Sequence, residues 1–136
     1  MADLTITPED VKLIDADTSQ QVVQFGEAVT QGQAVYLNAS DAKYWLAQND
    51  DSAEAEFRGI VITPAGVDGY GMIATGGLVG MGATLVQGEV YVVSGTAGGV
   101  APISDLGPAV YTSIIGVAAT TANLRIDRSN TGILQP

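Results

Sequence analysis

Apolar residues along this chain come in short bursts separated by polar or glycine-containing stretches. Val11-Lys12-Leu13-Ile14, the polar run Asp15-Ala16-Asp17-Thr18-Ser19 and Val22-Val23-Gln24-Phe25 read as two strands and a turn. No segment sustains a helical period over several turns, whereas bursts of this length suit a pleated sheet. Ala34-Val35-Tyr36-Leu37 and Tyr44-Trp45-Leu46-Ala47 flank Asn38-Ala39-Ser40-Asp41, whose side chains can bond their own backbone, so this stretch predicts a hairpin. Residues 50 to 57 form the one short helical turn expected: Asp51 or Ser52 offers a cap, and Glu54 sits near the positive end of the dipole. Gly59 is expected to end that turn. Ile60-Val61-Ile62 then follows as a strand that stops at Pro64, because proline donates no ladder hydrogen bond.

Between Ala65 and Gly82 the glycines are dense around Met72-Ile73-Ala74 and Leu78-Val79, which predicts short strands meeting at tight bends. Further strands are expected at Leu85-Val86, at Val90-Tyr91-Val92-Val93, over 111–117 and over 123–126, with a turn over 94–99 and a loop over 102–108. A faint repeat runs through this pattern. Gln31-Gly32-Gln33-Ala34-Val35-Tyr36 is echoed by Gln87-Gly88-Glu89-Val90-Tyr91, with glycines 56 residues apart (32 and 88). Arg58-Gly59-Ile60-Val61 is echoed by Ile115-Gly116-Val117-Ala118, with glycines 57 apart (59 and 116). The expectation is an all-β fold, a small β-barrel or β-sandwich of two related halves. Residues 1–10 would be an extended N-terminal arm, 11–128 a single β-rich domain and 129–136 a C-terminal tail.

Composition narrows the chemistry. A length of 136 residues with 46% hydrophobic content suits one domain with a real core. There is no Cys and no His, which excludes disulfides, a Cys nucleophile, a His base and the usual zinc ligand sets. The formal net charge of −10, from 15 acidic and 5 basic residues, opposes a phosphate backbone and an anionic membrane surface, so neither nucleic acid nor membrane is expected as a partner. Met1 to Pro8 has no basic start with an apolar run behind it, and no stretch is long enough to span a bilayer, so neither an export signal nor a membrane anchor is expected.

The candidate catalytic pairs are Asp15 with Asp17 and Asp50 with Asp51, but they lie in polar turn-like stretches with nothing nearby to shape a pocket or shift a pKa. The same acids lack the spacing of a calcium loop. The glycine-rich stretches are not followed by Lys-Ser or Lys-Thr, nor do they hold the dinucleotide spacing, so they read as turns and close approaches. No catalytic residue, cofactor or metal is expected. Trp45 and Tyr44, with Tyr36, Tyr70, Tyr91 and Tyr111, are candidates for a sugar-stacking face, with core or interface packing as the plainer reading.

Several segments taken together carry a resemblance: Gly32 to Tyr36, Asp41 to Ala47, Arg58 to Val61, Thr75 to Thr84, Gly88 to Val93, Gly98 to Pro102 and Ile115 to Ala118. From about Leu4 to Ile126 the chain resembles the small decoration, or cement, proteins of tailed-bacteriophage heads. The resemblance implies a non-enzymatic, β-rich homotrimer made in the host cytoplasm. It would sit on the outer capsid surface of the virion at three-fold or quasi-three-fold points, clamping major capsid protein subunits. It further implies that the N-terminal arm adds to a capsid strand, which makes Leu4, Thr5, Ile6, Thr7 and Pro8 the expected capsid contacts. The rival readings are a carbohydrate- or receptor-binding β module on a phage tail or cell surface, using Trp45 and Tyr44, and a hydrolase built on carboxylates such as Asp15 and Asp50 alone.

Overall fold

The computed structural model describes residues 4, 6–14, 19–50, 54–105 and 111–134. The described residues are nearly all β, with 53% of them in strands. The strands are β1 (Val11–Leu13), β2 (Ser19–Gln24), β3 (Ala34–Asn38), β4 (Lys43–Leu46), β5 (Phe57–Val61), β6 (Tyr70–Met81), β7 (Val90–Val93), β8 (Val100–Pro102), β9 (Tyr111–Ala118) and β10 (Asn123–Leu134). Single 3-10 turns occupy Pro8–Asp10 and Ile103–Asp105.

The expected hairpin is present as β3 and β4, paired from Val35↔Leu46 to Asn38↔Lys43. Its turn is held by the side chains the sequence pointed to: Asn38 Oδ1 accepts from the Ser40 amide at 2.8 Å and Asp41 Oδ1 from the Lys43 amide at 3.0 Å. Elsewhere the structure corrects the sequence reading. Residues 51–53 lie outside the described residues, but the helical turn expected up to Phe57 does not extend there, because Phe57 opens β5 opposite Tyr36 and is fully buried. Gly59 lies inside that strand, opposite Val35, and does not terminate a helix. Leu85-Val86 is not a strand; Leu85 is buried from the irregular stretch between β6 and β7. The loop expected from residue 102 is preceded by a strand the sequence reading missed, β8, and the tail expected over 129–136 continues β10 against β9 as far as Leu134↔Tyr111.

The largest correction concerns β6. The glycine-rich stretch is one twelve-residue strand, not several short ones. Along one edge it receives β2 from Gln24↔Tyr70 to Ser19↔Gly76 and then β1 from Leu13↔Val79 to Val11↔Met81. Along the other it receives β5 at Ile73 and Ala74 and then β10 from Gly77 to Gly80. Partners on both edges satisfy its backbone groups along nearly all of its length, which is why a strand poor in side chains persists.

Handing over partners at Gly76-Gly77 splits the sheet into two units of the same topology. The first runs β4-β3-β5-β6-β2 and uses the N-terminal half of β6; the second runs β8-β7-β9-β10-β6 and uses its C-terminal half. The agreement is detailed. The β3–β5 ladder slips between Val35 and Tyr36, and the β7–β9 ladder slips between Tyr91 and Val92, each 56 positions later (35 and 91, 36 and 92). The Gly32 amide donates to Val61 O at 2.8 Å, and the Gly88 amide to Ala118 O at 2.8 Å. Both glycines hold a left-handed φ, 90° and 85°, a region that favours glycine.

The cores repeat as well. Val23, Phe25, Val29, Val35, Tyr44, Val61 and Ile73 fill the first unit. Their counterparts Val79, Met81, Leu85, Tyr91, Val100, Ala118 and Leu124 all lie in the second cluster. That cluster also holds Ala34, Tyr36, Phe57, Ile60 and Ala74, the opposite face of the first unit's strands, so β5 and β6 are covered on both sides where the units meet. Tyr91 differs from its counterpart Val35 in carrying a hydroxyl, which accepts a hydrogen bond from the Val86 amide at 3.0 Å. Tyr91→Phe is expected to lower stability by about 0.5–1.5 kcal/mol, read as a shift in urea midpoint at unchanged slope.

Candidate functional site

The first unit closes its own curl. Just past β2, Phe25 forms a parallel bridge to Tyr44 of β4, and the Gly26 amide donates to Tyr44 O at 2.9 Å. In the second unit the position equivalent to Tyr44 is Val100, 56 residues later, and its carbonyl instead accepts from the amide of Leu4 at 2.8 Å. The Thr7 amide donates to Gly82 O, also at 2.8 Å. The N-terminal segment therefore lies between the end of β6 and β8, as an added stave.

Local chemistry sets this geometry. Pro8 opens the 3-10 turn and disfavours helical backbone at Thr7, which is extended with φ −91° and ψ 104°. Leu4 and Ile6 are half-buried and pack on the main core, whereas Thr7 and Pro8 are exposed. A Cβ built on Gly82, at φ 63°, would strike the carbonyl of Thr7, and one built on Gly32 would come within 2.7 Å of Ile6 Cγ2. Two clefts flank the segment. One of about 250 Å³ lies between Leu4, Ile6, the 30–33 turn and residues 96–100. The other, about 330 Å³, is lined by Leu4, Val86, Glu89, Tyr91 and Pro102.

Of the residues expected to touch a capsid, Leu4 and Ile6 thus rest against the chain's own body, Thr7 and Pro8 face outward, and Thr5 lies outside the described residues. Asp15, Asp17 and Asp51 also lie outside them, and Asp50 is exposed. Among the described residues no group of three or more acids gathers to hold a metal ion, and no helix is long and apolar enough to cross a membrane. The aromatic residues do not form one stacking face. Tyr44 is only 8% exposed, and Trp45 packs on Gly26 with its indole N–H donating to Asp41 Oδ2 at 3.1 Å.

Tyr70, 68% exposed, shares the outer face of the first unit with Val22, 66% exposed, through the pairings Val22↔Met72 and Gln24↔Tyr70. Beside them Lys43 Nζ meets Asp68 Oδ1 at 2.7 Å. That hydrogen bond holds the Lys43 ammonium above its ordinary pKa of 10.5. The raised value makes the pair's contribution complete below pH 10.5 and lost as the lysine deprotonates above it; on an open surface it is small.

The residues sequence reasoning missed are Gly82 and Val100, which receive the N-terminal segment. The available signal was the repeat, since Val100 follows Tyr44 by the same interval as Gly88 follows Gly32. No family model, no curated protein and no solved structure matches this chain.

Proposed function

We propose that this chain is a non-enzymatic structural protein that decorates the outside of a tailed-phage head as a homotrimer and holds major capsid protein subunits together. The observation that carries the proposal is the behaviour of residues 4–7. Of these, Leu4 and Thr7 pair their backbone amides with Val100 and Gly82, and Leu4 and Ile6 seat apolar side chains against the core, the chemistry by which a strand is added to a partner. The whole-chain resemblance supports the same reading, and a net charge of −10 suits a place outside the shell, away from packaged genome. In this reading Leu4, Thr5, Ile6, Thr7 and Pro8 contact the capsid, and three copies acting together gain affinity through effective concentration.

A cement acts by mass action. Whatever binds the assembled shell and not its separated subunits stabilises the shell, by roughly 2.7 kcal/mol per site at a hundredfold excess over Kd. The test is co-sedimentation with expanded tailed-phage heads assembled from major capsid protein. Saturable binding and a raised melting temperature of the heads are expected. Deleting residues 1–7 is expected to weaken binding roughly 10–100-fold, the loss of one contact among several. A chain that stays monomeric and leaves the heads bare overturns the proposal.

A further inference from the structure

The two units differ in how the curl is closed. In the first, the residues that close the curl follow β2 directly, so closure is continuous along the chain. In the second, Gly82 at the end of β6 does not meet Val100; the gap is filled by Leu4, Ile6 and Thr7, which reach it from the far side of the Pro8–Asp10 turn. We infer that this gap is a strand-acceptor site, and that in the free oligomer it is filled by Leu4, Ile6 and Thr7 of a neighbouring copy.

The occupant is identified by what already sits there. The site takes two apolar side chains, Leu4 and Ile6, and its glycines at 32 and 82 leave room for the Ile6 side chain and the Thr7 carbonyl. Every copy carries the matching segment. Exchange between copies restores each hydrogen bond and each buried side chain that a copy gives up, so it costs little beyond association. The hinge lies where the described chain changes direction. Thr7 is extended and exposed, Pro8 fixes the backbone behind it, and the turn is pinned by Asp10 N donating to Thr7 O at 3.0 Å, so the segment can swing about Thr7 without unfolding β1. Passing each segment to the next copy in one rotational sense closes a ring, as a cyclic trimer requires.

The inference goes beyond the capsid reading and is tested without a shell. Leu4 is replaced by the photoreactive p-benzoylphenylalanine, unlabelled and ¹⁵N-labelled chains are mixed in equal amounts, unfolded and refolded together, and cross-links are read by mass spectrometry. Exchange predicts cross-links from position 4 to the segments around Val100 or Tyr91, about half of them joining chains of different isotope. Cross-links found only within one isotope overturn the inference. A second measurement uses the chain lacking residues 1–7 and a fluorescent peptide of residues 1–8. Saturable binding, competed by unlabelled peptide, supports the acceptor site. No binding by a truncated chain that still melts cooperatively overturns it, and if truncation prevents folding the cross-linking on the full chain decides.

Discussion

Gly116→Ala is expected to remove about 3 kcal/mol or more of stability. A Cβ at Gly116 would run into the carbonyl of Arg125, a backbone atom of β10 that the neighbouring pairings Gly116↔Ile126 and Val117↔Arg125 hold in place. The other edge of Gly116 pairs with Tyr91, so β9 cannot move away without breaking the β7 ladder. Overpacking a close-packed interior ordinarily costs about 1–3 kcal/mol because side chains can yield; here the obstacle is main chain on an anchored strand. Against a total of roughly 5–15 kcal/mol, the urea midpoint should fall by about 1–2 M. The repeat supplies an internal comparison in Gly59, where a Cβ meets Ala74 O at 2.7 Å and Ile73 Cδ1 at 2.9 Å. Ala74 O is main chain as well, but at 2.7 Å it needs only a small shift and Ile73 can partly give way, so Gly59→Ala is expected to cost about 1–3 kcal/mol. Gly66, with nothing within 4 Å of an added Cβ, is the control and should change little. Equal stability of the 116 and 66 variants would show that β9 and β10 do not approach as closely as described.

Phe57→Ala should cost about 3–5 kcal/mol. Phe57 is fully buried in the larger core, at the start of β5 opposite Tyr36, where the two units press together. Alanine there opens a space the flanking strands cannot close, since Ile60 and Ala74 are buried on the same side and held by ladders on both edges. The measurement separates the strand from the helical turn that residues 50–57 predict. An exposed aromatic at the frayed end of a short helix would cost well under 1 kcal/mol, so a loss that small counts against this placement of β5.

Much of the fold was legible because it rests on local chemistry. Asn38 and Asp41 bond their own backbone whatever surrounds them, so the β3–β4 turn could be read directly. The misreading at 50–57 followed from the same kind of evidence, because caps and acidic residues favour a helix start only until a buried Phe57 pulls the chain into a sheet. Of the candidate site, the alternation of Leu4-Thr5-Ile6 before Pro8 was legible, but the sequence held no sign that Leu4 and Ile6 would face this chain's own core.

By itself, then, the sequence determined what each short segment can do: strands from their β-branched bursts, turns from Asn, Asp and Gly, an acidic surface, and two halves from glycines recurring after 56 and 57 residues. Tertiary structure alone decided that the glycine-rich stretch is a single strand shared between those halves, and that Leu4, Ile6 and Thr7 complete the second one. The physical reason is that a strand's hydrogen-bonding partners lie across the sheet and not along the chain. A glycine that looks like a bend in isolation becomes part of a ladder once backbone groups on both sides are there to pair with it.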